Sequence, residues 1–159
     1  MSKPAAPIKI LDVLKPETIL LDVRCTAKNE VISEIVGHLF NKETDEFKQE
    51  ITRALYEREK LGSTGIGSGV AVPHAKSARM TNVACALAIS KKGIDFEALD
   101  KAPVHLFFLL AAPLDSHSEH LNILARIVRL LKDRLFRQAL REASSIDEVV
   151  SLIAQEDNF

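Results

Sequence analysis

The chain has 159 residues, with 21 lysines and arginines against 22 aspartates and glutamates and a formal net charge of −1. A chain of this length buries enough apolar surface to fold as one domain without disulfides or a structural metal, and its near-neutral balance excludes the electrostatic footprint of a general nucleic-acid binder. No apolar run reaches the roughly 20 residues of a membrane-spanning helix. The N-terminus lacks the apolar core of a secretory signal. Cys25 and Cys85, with no C-x-x-C spacing, read as free thiols of a cytoplasmic protein.

Residues 1–7, rich in Pro and Ala, read as a flexible arm, and residues 8–159 as a single domain. Thr18–Val23 is a short apolar run that predicts an early strand. Thr26 is expected to cap a helix reaching Asn41, in which Val31, Ile32, Ile35, Val36, Leu39 and Phe40 form one stripe. A second helix is expected over Asp45–Leu61, stopped by Gly62. Val70–Val72 reads as the end of a strand closed by Pro73, and Val83–Ser90 and Val104–Ala112 as the two clearest strands, joined by a turn at Lys91-Lys92-Gly93. Val104–Ala112 is almost continuously apolar, as a central strand covered on both faces would be. Helices are expected over Ser118–Lys132, Arg134–Glu142 and Ile146–Gln155, the last with a Ser145/Glu148 capping box. Alternating strands and helices predict an α/β domain with helices on both sides of one sheet.

Chemistry concentrates in two places. Residues 62–69, Gly-Ser-Thr-Gly-Ile-Gly-Ser-Gly, hold four of the six glycines. Such a turn permits positive φ and close approach of a ligand to the backbone, and its amides can form an anion-binding concavity. A purely structural turn explains the glycines equally well. The loop fits neither the G-x-x-x-x-G-K-[ST] nor the G-x-G-x-x-G pattern. His74 follows Pro73 at a strand end, and a half-neutral imidazole there can act as nucleophile, base or ligand. Arg58 and Lys76 are near it in sequence. The second place is Asp115-Ser116-His117-Ser118-Glu119-His120. Ser116 and Glu119 have capping-box spacing, which puts His120 in the first turn of a helix, where the dipole favours an anion. Two histidines near an anion site suit phosphoryl transfer. Zinc held by His74, Asp115, His117 and His120 is the rival reading, although the spacing matches no zinc motif. His38 and His105 have no polar company and read as structural. The cationic series Arg126, Arg129, Lys132, Arg134, Arg137 and Arg141 is either a solvated face or a docking face for an acidic partner.

Gly65-Ile66-Gly67-Ser68-Gly69-Val70-Ala71-Val72-Pro73-His74-Ala75, preceded by Arg58-Glu59, resembles the active-site signature of the mannitol/fructose-type enzyme IIA domains of the bacterial phosphotransferase system. The Gly-Ser-Thr-Gly-Ile-Gly opening is most similar to the nitrogen-regulatory branch, and the likeness runs from about Ile8 to Ala154. The resemblance implies a mixed sheet of about five strands flanked by helices. It implies that His74 accepts a phosphoryl group from a small phosphocarrier (HPr or its nitrogen-branch paralogue), that His120 hydrogen-bonds the phosphate and that Arg58 stabilises the added charge. The loop residues Ser63, Thr64, Gly65, Gly67 and Ser68 would cradle the phosphate. The onward partners would be regulated target proteins, or a IIB domain if the role is sugar uptake; a binding module without transfer is the third reading. Neither cofactor, metal, nucleic acid nor membrane insertion is implied. Ala75 replaces a glycine common in the family, Ser68 replaces a longer polar or acidic side chain, and His117 matches no functional position.

Overall fold

The computed structural model describes residues 8–158; the expected N-terminal arm lies outside the described residues. A short helix α1 (Ile10–Val13) leads into β1 (Leu14–Leu20), followed by α2 (Lys28–Leu39) and α3 (Asp45–Lys60). Three short strands, β2 (Gly65–Gly67), β3 (Val70–Ala71) and β4 (His74–Lys76), precede the long pair β5 (Ala84–Ile94) and β6 (Val104–Ala112). Helices α4 (His117–Leu130), α5 (Arg134–Glu142) and α6 (Ile146–Glu156) close the chain.

The six strands form one mixed sheet ordered β1-β5-β6-β3-β2, with β4 also on β6. β3 and β4 continue one line. Val70 pairs with Leu106 and His74 with Leu110, the same offset along the same parallel partner. The line breaks at Val72-Pro73, where proline has no N–H for the ladder. Six strands therefore occupy the five positions that the resemblance implied.

Because side chains alternate across a strand, β6 feeds two cores. Leu106, Phe108 and Leu110 pack with α1, α4, α5 and α6, whereas Phe107, Leu109 and Ala111 pack with α2 and α3. That two-sided burial is why β6 reads as an unbroken apolar run. At the chain's end Asp157, buried, accepts hydrogen bonds from the Ile10 N–H and the Arg126 guanidinium, tying α1, α4 and α6 together. Cys25 and Cys85 are both free thiols.

Four local expectations are corrected. β1 starts at Leu14 and not at Thr18, and α1 ahead of it is too short to carry a periodic signature. α2 is entered from Ala27 with no side-chain cap; the Thr26 N–H donates instead to Glu30, 3.4 Å away. Lys91-Lys92-Gly93 does not turn the chain. It lies inside β5, where the pairing with β6 slips between Ile89 and Ile94, and Gly93 takes a φ of +86° with its N–H on Ser90 Oγ. At α6 the Ser145 hydroxyl caps the Glu148 N–H as expected, but the Glu148 carboxylate reaches Ser144 and not Ser145.

Candidate functional site

His74 opens β4 and is half-buried. Its Nδ1 lies 2.7 Å from the carbonyl oxygen of Val72. A carbonyl only accepts, so Nδ1 carries the proton and the lone pair of the neutral ring sits on Nε2. Burial pushes the pKa of His74 below 6.5, and the Arg58 guanidinium adds to this. The Val72 hydrogen bond and the Glu59 carboxylate pull the other way. The net result favours a neutral ring with an available nitrogen.

His120 lies in the first turn of α4, and its ring centroid is 5.5 Å from that of His74. It is 5% exposed, yet its Nε2 has no hydrogen-bond partner among the described residues. Burial first, then His74, Lys76 and His117, push its pKa down to about 4. A neutral imidazole with an orphaned, buried ring nitrogen is costly to leave unmatched. The expected Ser116/Glu119 box is absent: the Ser116 backbone (φ −98°, ψ 40°) turns its hydroxyl away from the helix and onto the Pro113 carbonyl, 2.8 Å away. The α4 dipole thus meets the site without a side-chain cap from Ser116.

Arg58 stands in the last turn of α3 and donates to the Gly62 carbonyl at 2.8 Å, close enough to His74 to act on it electrostatically. The adjacent Glu59, buried, accepts from both the N–H and the hydroxyl of Thr64 and pairs with Lys28 at 3.0 Å. Lys76, two residues beyond His74 and therefore on the same side of β4, approaches His117 Nδ1 at 2.6 Å. His117, set aside in the sequence reading, thus borders the site with Lys76. Their ammonium–imidazole contact spans 41 residues of sequence, so only the two-residue spacing of Lys76 from His74 pointed toward it.

The glycine-rich segment is a β-hairpin. Gly65 pairs with Ala71 and Gly67 with Val70, and Ser68 and Gly69 form the tip at φ +57° and +77°. Three of its donors are committed within the protein: the Ser63 hydroxyl to the Phe96 carbonyl, the Gly65 N–H to Ser63 Oγ and the Ser68 N–H to Asp100. A Cβ on Gly65 would meet Ala98 at 2.8 Å, so close packing explains that glycine. The open end of the hairpin, with Ser63 and Thr64, lies level with Val72. Gly67 and Ser68 lie at the other end, about four residues or roughly 13 Å back along the β3–β4 line from His74. The structure thus groups His74, His120, Arg58, Lys76 and His117, and separates Gly67 and Ser68 from them. Ala75 is extended within β4 beside Ala111, where an alanine fits without strain. Asp115 is exposed, and no three His, Cys, Asp or Glu side chains converge as a metal-ligand set among the described residues.

Residues 12–156 match the family described as phosphoenolpyruvate-dependent sugar phosphotransferase system, EIIA 2. The chain belongs to this enzyme IIA family. It is 35% identical over 145 residues to a nitrogen regulatory protein of Bradyrhizobium diazoefficiens, covering 91% of this chain and 94% of that one. It is 39% identical over 150 residues to the fructose-specific EIIABC component of Bacillus subtilis, covering 94% of this chain but only 24% of that longer protein. The crystal structure of nitrogen regulatory protein IIA-Ntr from Neisseria meningitidis superposes with a TM-score of 0.85 at 30% identity, over 91% of this chain and 98% of that one. The Escherichia coli enzyme IIA for mannitol, solved in complex with phosphorylated enzyme IIB, shares the fold with a TM-score of 0.75 at 24% identity, over 90% and 99% of the two chains. The enzyme IIA domain seen here carries its histidine pair at the C-terminal end of β6, where α4 begins.

Proposed function

We propose that this enzyme IIA protein is a phosphoryl carrier of the nitrogen-regulatory branch, with His74 as the acceptor. The observation that carries the reading is the His74–His120 pair, with ring centroids 5.5 Å apart: one ring fixed through Nδ1 by Val72 with its lone pair on Nε2, the other buried with Nε2 unpartnered among the described residues. The Nε2 lone pair of His74 attacks the phosphorus of a donor phosphohistidine in line. The donor P–N bond breaks and its electron pair returns to the donor ring, while a new P–N bond forms at His74. The proton stays on Nδ1, hydrogen-bonded to the Val72 carbonyl, throughout, so no base is required. The arriving negative charge is met by the Arg58 guanidinium, the α4 N-terminus and an N–H at His120 Nε2, which gains the acceptor it lacks in the unphosphorylated protein. Ser63 and Thr64 act at one remove by fixing the hairpin that positions this corner, and Gly67 and Ser68 take no part in holding the phosphate.

A dianionic phosphoryl group on a ring that keeps its Nδ1 proton changes the net charge by about −1 and sets about two negative charges at the surface of a protein of net charge −1, which changes what this surface binds. Target regulation by phosphorylation state follows from that change, and the nitrogen regulatory relatives support it. Transfer onward to a IIB domain for sugar uptake is the second reading, favoured by the fructose-specific relative. Incubation with phosphoenolpyruvate, enzyme I and either HPr or the nitrogen-branch carrier, followed by intact-mass measurement, tests the proposal. One phosphoryl group is added to the wild type, faster from the nitrogen-branch carrier, and none to His74→Ala. Uptake by His74→Ala overturns it. Rapid discharge to a fructose-type IIB domain selects the second reading.

A further inference from the structure

A second polar concavity lies away from His74. It has a volume of about 690 Å³ and is bordered by Ser68 at the hairpin tip, Lys91 in the bulged end of β5, and Arg134, Arg137 and Arg141 on α5. The three arginines are spaced by three and four residues and share one helical face. Arg137 donates to the carbonyls of Leu131 and Lys132, which fixes its fork at the head of the helix. The one acid of the lining, Glu142, is engaged by Gln138 at 3.1 Å. Four cations therefore line one cavity from two separate elements, and among the described residues none of them is in a salt bridge with a carboxylate. Arg137 steadies the α4–α5 connection through those carbonyls, but side-by-side cations on one helix face repel, and a bound anion relieves that repulsion.

We propose that this cleft is a binding site for a small molecule bearing several linked phosphate groups, such as a nucleoside triphosphate or inorganic tripolyphosphate. Its volume is within the roughly 300–1,000 Å³ usual for small-ligand sites. Arg134 to Arg141 span roughly 10 Å along α5, which matches a chain of two or three phosphates and not an extended polymer. Arginine forks bind phosphate oxygens in pairs, and the Ser68 hydroxyl supplies a further donor at the cavity edge. Among the described residues no aromatic side chain borders the cleft, so these residues offer a base no stacking partner and selectivity falls on the number of phosphates. The site is at the β3 end of the line that terminates in His74, and it does not rest on the phosphoryl-carrier reading.

Isothermal titration of the full chain at physiological ionic strength, with orthophosphate, pyrophosphate, tripolyphosphate and ATP, tests the site. One equivalent of tripolyphosphate or ATP binds saturably, more tightly than pyrophosphate, and orthophosphate binds weakest. The doubly substituted Arg134→Gln/Arg141→Gln protein loses at least about tenfold in affinity, as does Lys91→Gln, which leaves α5 intact. His74→Ala binds as the wild type does, so a failure of phosphoryl transfer to His74 leaves this result untouched. The proposal is overturned by absence of saturable binding, by binding that survives both cleft variants, or by binding lost in His74→Ala. A polyglutamate peptide that binds while tripolyphosphate does not also overturns it and marks an acidic protein surface instead.

Discussion

At the scale of single residues, the decisive atom is Nε2 of His120. Burial makes the protonated ring unfavourable and holds the pKa near 4, while the same burial leaves the nitrogen without a partner. A phosphoryl group on His74 reverses both conditions, because a nearby dianion favours a charged or donating imidazole. The pKa of His120, followed by its ring carbon-bound proton shifts, is therefore expected to rise on phosphorylation of the protein. His120→Ala should slow phosphoryl uptake roughly 10- to 100-fold, the worth of one hydrogen bond to a charged group, with the fold retained by circular dichroism. An unchanged uptake rate would remove His120 from the mechanism. Both histidines were legible in the sequence, since a Pro-His after a glycine-rich stretch and a His in a helix's first turn are local signals. Lys76 was legible only as a neighbour of His74 and His117 only as a possible zinc ligand, because their contact depends on how α4 is laid beside β4.

At the scale of elements, the hairpin over Gly65–Ala71 shows what local pattern alone leaves open. Its glycines fit an anion cradle and a tight turn equally, and the choice is made by Asp100, 32 residues from Ser68, and by Ala98, whose Cα would lie 2.8 Å from a Cβ at Gly65. Gly65→Ala is accordingly expected to destabilise the protein by about 1–3 kcal/mol through overpacking, measured by urea unfolding. A neutral result would mean that the 95–103 connection yields easily. Elements with their own periodicity, α2 to α6 and β6, were legible for the complementary reason: each buries one stripe or one continuous run, and that requirement is written in consecutive residues. The β5 bulge at Lys91–Gly93 escaped because lysines and a glycine also describe a turn, and only the pairing with β6 distinguishes the two.

At the scale of the whole molecule, two histidines with depressed pKa values couple stability to pH. The unfolded chain titrates them near 6.5, and the folded protein titrates His120 near 4 and His74 below 6.5. Between pH 6.5 and about 4 the unfolded state therefore binds more protons, so stability is full above this window and falls as the pH drops through it. Urea midpoints measured across that range should decline for the wild type and decline less for His120→Gln, whose amide does not titrate. Parallel profiles would place the acid sensitivity elsewhere. The proposed phosphorylation at the same corner would act on the same balance, since an added dianion would partner the rings that burial leaves neutral.

The most direct test of the central claim is nitrogen-15 and phosphorus-31 NMR of the protein phosphorylated through enzyme I and its carrier, which locates the P–N bond. The Val72 hydrogen bond to Nδ1 predicts a single phosphoryl group on Nε2 of His74, with the Nδ1 proton retained. A bond at Nδ1 of His74, or at either ring nitrogen of His117 or His120, would contradict the account.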